Sequence, residues 1–276
     1  MDVLESVFLI ASLVCVALTL LLTIVVSVRS RKTPDTGEQS RSVSGLTVAI
    51  LTYLSLVLVT LTIIFRTIQT GHGPFSNMYE FALAFSWGII LMGIIFEMRY
   101  KTAAAKNIGL FIAVLLLVFA TVQHAKPAPL IPALQQSVLL SVHVAAAVVA
   151  YGAFTVGFGA ASLFLVQYYR PTSWLPDKPI LDSMSNLSVV IGFPFLTLTI
   201  ILGALWADIA WGRYWGWDPK ETASLVTWLL FAAYLHARII RGWRDRNAAI
   251  LIIIGFAAVL LTFFGNYIFS GLHAYR

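Results

Sequence analysis

The chain contains eight separate apolar runs, each long enough to cross a lipid bilayer as a helix. They fall at about residues 6–28, 44–66, 79–97, 107–123, 137–169, 186–206, 222–241 and 247–269. A membrane-spanning helix needs about 20 mostly apolar residues. Of the 276 residues, 59% are apolar and 11% charged, which no water-soluble fold of this length could bury. The sequence therefore predicts an all-α, polytopic membrane protein of about eight helices that forms one domain over residues 1–276.

Composition excludes several functional classes. Cys15 is the only cysteine and lies inside an apolar run, which excludes disulfide scaffolds, CxxC redox pairs and zinc–cysteine sites. No GxxxxGK[ST] phosphate loop is present. Asp2 and Glu5 precede the first run where a signal peptide would be basic, so the helix at 6–28 is predicted to be a retained anchor.

The basic residues predict the orientation in the membrane. The loops 28–43, 98–106, 170–185 and 238–246 carry thirteen of them, whereas the opposite loops and both termini carry five. Because Lys and Arg accumulate in cytoplasmic loops, both termini and the segment around 207–221 are expected outside. The net charge of +6 thus reflects membrane orientation, and no nucleic-acid partner is expected.

The fifth run, 33 residues long, is predicted to be a central packing helix. At about 1.5 Å per residue it exceeds the hydrocarbon thickness, so one end should project beyond the bilayer. It is rich in Gly and Ala between Ala145 and Ala161, and small residues allow the backbones of neighbouring helices to approach closely.

The segment from 206 to 222, WADIAWGRYWGWDPKET, is the most unusual in the chain. One interpretation of the segment is an aromatic belt at headgroup depth. Its end is typical of a capping motif, with Asp218 at the N-cap and Glu221 at N3 of the next helix. Alternatively, its tryptophans form a flat aromatic surface with two cations, suited to a porphyrin and its propionates. The members of that candidate site are Trp211, Trp215, Trp217, Asp218 and Arg213, and Lys220 is the second cation of the segment.

Two of the five histidines are expected on the side of this tryptophan-rich segment. His143 lies near the outer end of the fifth helix, and His273 follows the eighth. Two imidazoles from opposite directions could complete a six-coordinate haem iron. His72 and His124, in Gly- and Pro-containing loops, are interpreted instead as polar residues at a wet boundary.

His236 is a separate case. It lies 14 residues beyond Thr222, about 21 Å along the seventh helix, and so in the inner half of the bilayer. An ionisable residue at that depth is costly unless it has a function or a polar partner. The alternative is a histidine that reaches toward Arg238 and the cytoplasm.

These motifs together resemble the CcsA/ResC branch of System II cytochrome c biogenesis proteins, within the haem-handling superfamily that carries the "WWD" motif. The resemblance covers about residues 44–276, with the first helix matching only in hydrophobicity. It is carried by Trp211–Glu221, Leu235–Arg238, Pro74–Glu80 and Gly271–His273.

The resemblance implies the membrane subunit of a cytochrome c synthase (haem lyase) that carries haem b across the membrane. Outside, the haem would be joined by thioether bonds to CxxCH apocytochromes with the help of a ResB/CcsB-type membrane partner. By the family pattern, His143 and His273 are the external axial ligands, and His236 binds haem within the membrane. A bacterial plasma membrane is expected rather than a thylakoid.

Three alternatives remain open at this stage. A System I haem-transfer subunit shares the tryptophan motif, although Pro219–Glu221 favours System II. A b-type cytochrome that passes electrons to quinone usually has two histidines on one helix, which no helix here provides. A solute transporter would not explain the tryptophan-rich segment, and no inverted repeat is evident.

Overall fold

The computed structural model describes residues 2–32, 38–123 and 137–268, and the regular structure within these ranges is entirely helical. All eight helices are long and apolar enough to cross a membrane, which confirms the predicted fold class. The helices are α1 (Asp2–Lys32), α2 (Glu38–Thr70), α3 (Met78–Tyr100), α4 (Ala104–Val122), α5 (Ser137–Tyr169), α6 (Lys178–Trp211), α7 (Pro219–Ile240) and α8 (Arg246–Ile268).

Helix α6 differs most from the sequence prediction. It has 34 residues, beginning eight residues before the predicted run and ending at Trp211. The apolar pattern missed its first two turns because they contain Lys178 and Asp182. Asp182 is compensated there by a bidentate ion pair with Arg238 of α7, at 2.6 and 2.7 Å. Gly212, with a positive φ of 70°, ends the helix.

Helix α5 is the packing centre of the bundle, as predicted, and contacts α3, α4, α6 and α8. Its glycines allow two backbones to meet. A Cβ on Gly152 would lie 2.6 Å from the Gly88 carbonyl oxygen of α3, and one on Gly159 would lie 2.9 Å from that of Ala105 in α4. Small residues therefore hold α3 and α4 close against α5.

Helices α1 and α2 pack through hydroxyl groups. The Ser12 and Thr62 hydroxyls lie 3.3 Å apart, and those of Thr19 and Ser55 lie 3.4 Å apart. Cys15 is buried in the same seam and accepts a hydrogen bond from Ser55. Polar side chains that pair across a helix interface stabilise association where the surrounding lipid gives no hydrophobic driving force.

Candidate functional site

A cavity opens between α3, α5, α6, α8 and the first turns of α7, beside the tryptophan-rich segment. Its empty volume is about 1020 Å³, a figure that includes the space at the open mouth. Most of the lining is apolar or aromatic. The polar or titratable side chains on its wall are His143, Tyr151, Thr199, Trp206, Tyr214, Trp215, Lys220, Glu221, Ser224 and Thr262.

His143 lies on this wall with a defined tautomer. Its Nδ1 is 2.8 Å from the main-chain carbonyl oxygen of Thr199 in α6. Because a carbonyl can only accept, Nδ1 must carry the proton and donate it, and Nε2 then carries the lone pair. In most metal-binding histidines one ring nitrogen donates to a carboxylate, a backbone carbonyl or water, and the other nitrogen is the ligand atom.

The turn between α6 and α7 is held by two acidic side chains. Asp218 accepts a hydrogen bond from the Lys220 amide at 2.9 Å. Glu221 accepts from the amides of Gly216 and Asp218, at 2.8 and 3.1 Å. These contacts form a capping box on α7 and confirm that interpretation of the motif. Asp218 is 6% exposed and does not belong to the cavity lining.

The tryptophans do not form one flat surface, so that expectation was wrong. Trp206 and Trp215 line the cavity. Trp211 meets Trp206 at an interplanar angle of 73°, and Trp217 meets Trp215 at 89°. The quadrupole of an aromatic ring favours edge-to-face contacts of this kind over face-to-face stacking. Trp217 is 70% exposed and lies outside the lining.

The two cations of the segment occupy different places. Arg213 is exposed and covers Gly216, where a Cβ would lie 2.9 Å from its guanidinium carbon. Lys220 reaches the cavity, with Nζ 4.9 Å from the ring centroid of Phe81. Among the described residues no ion pair involves Lys220. The sequence showed two cations but could not show which of them faces the cavity. The direction of each side chain depends on how the capping box orients the start of α7.

A buried ionic network builds another wall of the cavity. Glu80, fully buried at the start of α3, accepts hydrogen bonds from Arg66 Nε at 2.9 Å and from the Ser76 amide and hydroxyl at 2.9 and 2.7 Å. The network fixes the segment 72–77, which places Phe75 against the cavity. Removing one partner of a buried ion pair costs about 3–5 kcal/mol, so loss of Arg66 or Glu80 should destabilise this wall.

His72 belongs to this network, and its interpretation as a residue at a wet boundary was wrong. It is 8% exposed, its Nδ1 donates to the Gly73 carbonyl at 2.8 Å, and the same nitrogen lies 3.9 Å from Glu80. The loop folds back over the ends of α2 and α3, which the composition of the segment did not indicate. His124 lies outside the described residues.

Comparison with known proteins places the chain in a family. The family model described as cytochrome c assembly protein matches residues 75–273, which contain all the cavity-lining residues and the tryptophan-rich segment. The chain belongs to the cytochrome c assembly protein family. Its relatives include CcsA proteins that are 35–37% identical to it, so the chain is of the CcsA type. This confirms the resemblance seen in the sequence.

Two relatives illustrate the match. The cytochrome c biogenesis protein CcsA of Prochlorococcus marinus (strain MIT 9312) is 35% identical over 271 residues, covering 87% of each chain. The CcsA of Chlamydomonas reinhardtii is 37% identical over 234 residues, covering 80% of this chain and 66% of that protein. The chain thus spans just under two thirds of the Chlamydomonas protein.

A solved structure shares the fold of this family member. The cytochrome c heme lyase CcmF aligns over 95% of the chain with a TM-score of 0.64 and 18% identity. The chain covers 46% of CcmF, less than half of its length. At this identity the similarity establishes the helical arrangement alone.

The structure separates His236, another candidate haem ligand, from the cavity. His236 lies on an exposed face of α7 and is not part of the lining. The same face exposes Val226, Leu229 and Ala233, at the spacing of one side of a helix. Arg238 is engaged with Asp182 and the Trp243 carbonyl, so it is already satisfied without His236. His273 lies outside the described residues.

Proposed function

We propose that this cytochrome c assembly protein binds haem b in the cavity at His143 and presents it for thioether attachment to CxxCH apocytochromes. One observation carries the proposal. An imidazole whose Nδ1–H is fixed by the Thr199 carbonyl stands on the wall of an aromatic cavity that also holds a lysine without an ion-pair partner among the described residues. This donor set matches the three chemical parts of haem.

Each part of the ligand has a counterpart. The imidazole of His143 supplies an axial ligand to iron. The rings of Phe81, Trp206 and Trp215 offer apolar faces to a porphyrin. Lys220 supplies positive charge for a propionate, an interaction that strengthens in apolar surroundings.

The other members of the tryptophan-rich segment act around this core. We assign Trp211 to support Trp206, which its ring contacts edge to face. We assign Trp217 and Arg213, which are both exposed, to contacts with the haem edge or the apocytochrome. Asp218 contributes by capping α7 and so holding Lys220 in place. His273, which follows α8 in the sequence, is assigned as the second axial ligand on the family pattern.

The attachment chemistry requires groups that this chain does not provide. Each thioether forms when a cysteine S–H adds across a haem vinyl group, with sulfur bonding to one carbon and hydrogen to the other. Cys15, the sole cysteine, is buried between α1 and α2, so both thiols must come from the apocytochrome. A ResB/CcsB-type membrane protein is the proposed partner for recognising that substrate.

His236 supports a membrane stage of the same route. An imidazole on a lipid-facing helix surface is unfavourable unless another group covers it. We therefore assign the exposed face of α7 to the partner, whose helix would supply the opposite axial ligand to haem on its way to the cavity. In the proposed orientation His236 lies in the inner half of the bilayer, so haem would reach it from the cytoplasmic side.

The cavity assignment is tested by removing the charge of Lys220. Lys220→Met keeps most of the length of the side chain, and the backbone cap, but leaves a propionate without its cation. We expect the haem that co-purifies with the membrane protein and its partner to fall about 10- to 100-fold, since a hydrogen bond to a charged group contributes about 1.5–3 kcal/mol. Haem content is measured by pyridine haemochrome spectra.

Lys178→Met is the matched control. Lys178 also lies over an aromatic ring, 5.8 Å from the centroid of Tyr168, but at the other end of α6. Its loss should leave haem content unchanged. Equal haem content in the Lys220 and Lys178 variants would contradict the assignment of the cavity to haem.

The proposed orientation has both termini and the tryptophan-rich segment outside the cytoplasm, in the plasma membrane of a bacterium. Reporter fusions at positions 35 and 215 should give opposite results, with 215 extracytoplasmic, because the thirteen-to-five distribution of basic residues favours that topology. If both fusions report the cytoplasm, the orientation is wrong, and haem would be presented on the wrong side for this function.

A further inference from the structure

Helix α6 is shaped to receive the imidazole of His143. In an α-helix the Thr199 carbonyl accepts a hydrogen bond from the amide four residues later, which is that of Gly203. The second lone pair of this oxygen receives Nδ1–H of His143 at 2.8 Å. The ring thus lies against the helix backbone at the turn from Thr199 to Gly203.

Gly203 is the residue that makes this approach possible. A Cβ at position 203 would lie 2.9 Å from Cε1 and 3.2 Å from Nδ1 of His143. At these distances the added Cβ would clash with the ring. Because the Cβ is attached to the backbone of a helix, the imidazole is the group that would have to move. Alanine is the better helix former, so helix propensity gives no reason for glycine here.

We propose that Gly203 and the Thr199 carbonyl form a cradle that fixes the tautomer and orientation of His143, and so tune its bond to haem iron. This inference deepens the proposed function and rests on it. Gly203 is a positioning residue that acts through His143. A carbonyl that accepts Nδ1–H raises the basicity of Nε2, which strengthens the iron bond and stabilises the ferric state.

The test is Gly203→Ala in the full chain with its partner. Displacing the ring should weaken haem binding about 10- to 100-fold, the effect usual when a second partner of a metal ligand is lost. The midpoint potential of the haem that remains should move to a more positive value. In haem-free protein with ¹⁵N-labelled histidine, NMR should show His143 as the Nδ1–H tautomer in the wild type and a loss of that preference in the variant.

Two glycine variants serve as controls. Gly109→Ala is tight but remote, since its Cβ would lie 3.2 Å from Ile89, and Gly45→Ala has no atom within 4 Å. Neither should alter the tautomer of His143 or the midpoint potential. An unchanged tautomer and unchanged haem affinity in Gly203→Ala would overturn the inference.

A double variant separates positioning from folding. In His143→Gly the ring that a Cβ would strike is absent, so adding Gly203→Ala should not change the amount of folded protein. If Gly203→Ala lowers protein levels, the double variant should restore them, and failure to do so would contradict an effect through His143. Should His143→Gly itself retain wild-type haem, the ligand assignment in the proposed function fails instead.

Discussion

His143→Gly and His273→Gly are each expected to abolish cytochrome c maturation, and added imidazole should restore part of it. Removal of an axial ligand leaves iron with an open position and a void of ring size, which free imidazole can fill. The loss of maturation should be at least about 100-fold. Removing even a hydrogen-bond partner of a metal ligand lowers metal affinity or activity about 10- to 100-fold. The measurement is the yield of covalent haem on a CxxCH reporter cytochrome, with and without imidazole.

The rescue makes this experiment specific. A variant that fails because the protein misfolds would not recover when imidazole is added. His124→Gly, for which no role is assigned, is the control and should mature cytochrome normally. Full maturation in His143→Gly or in His273→Gly would rule out that histidine as an essential ligand.

His236→Ala should reduce both the haem that co-purifies with the complex and the yield of cytochrome c. The side chain lies on an exposed face of α7, away from the cavity, so it is expected to act before haem reaches His143. An uncompensated polar group in hydrocarbon costs several kcal/mol, which an iron bond to a shared haem would offset. Both quantities are measured on the same membranes, haem by its haemochrome spectrum and cytochrome by covalent haem.

Ile254→Ala is the matched control for this prediction, because Ile254 is exposed on α8, outside the face of α7 that is assigned to the partner, and carries no ligand atom. It should leave haem content unchanged. If His236→Ala retains wild-type haem and fails only in thioether formation, His236 is not a ligand of an earlier stage, and the two-stage route is wrong.

The fold was predictable because hydrophobic length fixes the number of spans. The error at α6 has a tertiary cause: Asp182 interrupts the apolar run, but Arg238 from another helix neutralises it. Likewise, no residue next to His72 in the sequence indicated that it is buried. Its position depends on the Glu80 carboxylate, which Arg66 of α2 also binds. Charges buried by long-range pairing are the features that apolar patterns miss.

The site was predictable in part. Sequence reasoning found His143 and Trp215, and the structure brings both to the cavity together with Lys220. It could not place Trp217 outside the lining, because the sequence does not signal the left-handed backbone at that residue (φ 56°). Nor could it place Arg213, because its position against Gly216 depends on the folded turn. Gly203 gave no signal, since a glycine in a membrane helix is common and its meaning depends on which ring lies opposite.

The central claim is that this chain holds haem non-covalently at His143. The most direct measurement is a pyridine haemochrome spectrum of the purified complex with its partner, recorded side by side for the wild type and His143→Gly. The proposed function predicts b-type haem that acid acetone extracts from the wild type, and a clear loss of it in the variant. A wild-type complex without haem, or equal b-type haem in both proteins, would contradict the claim.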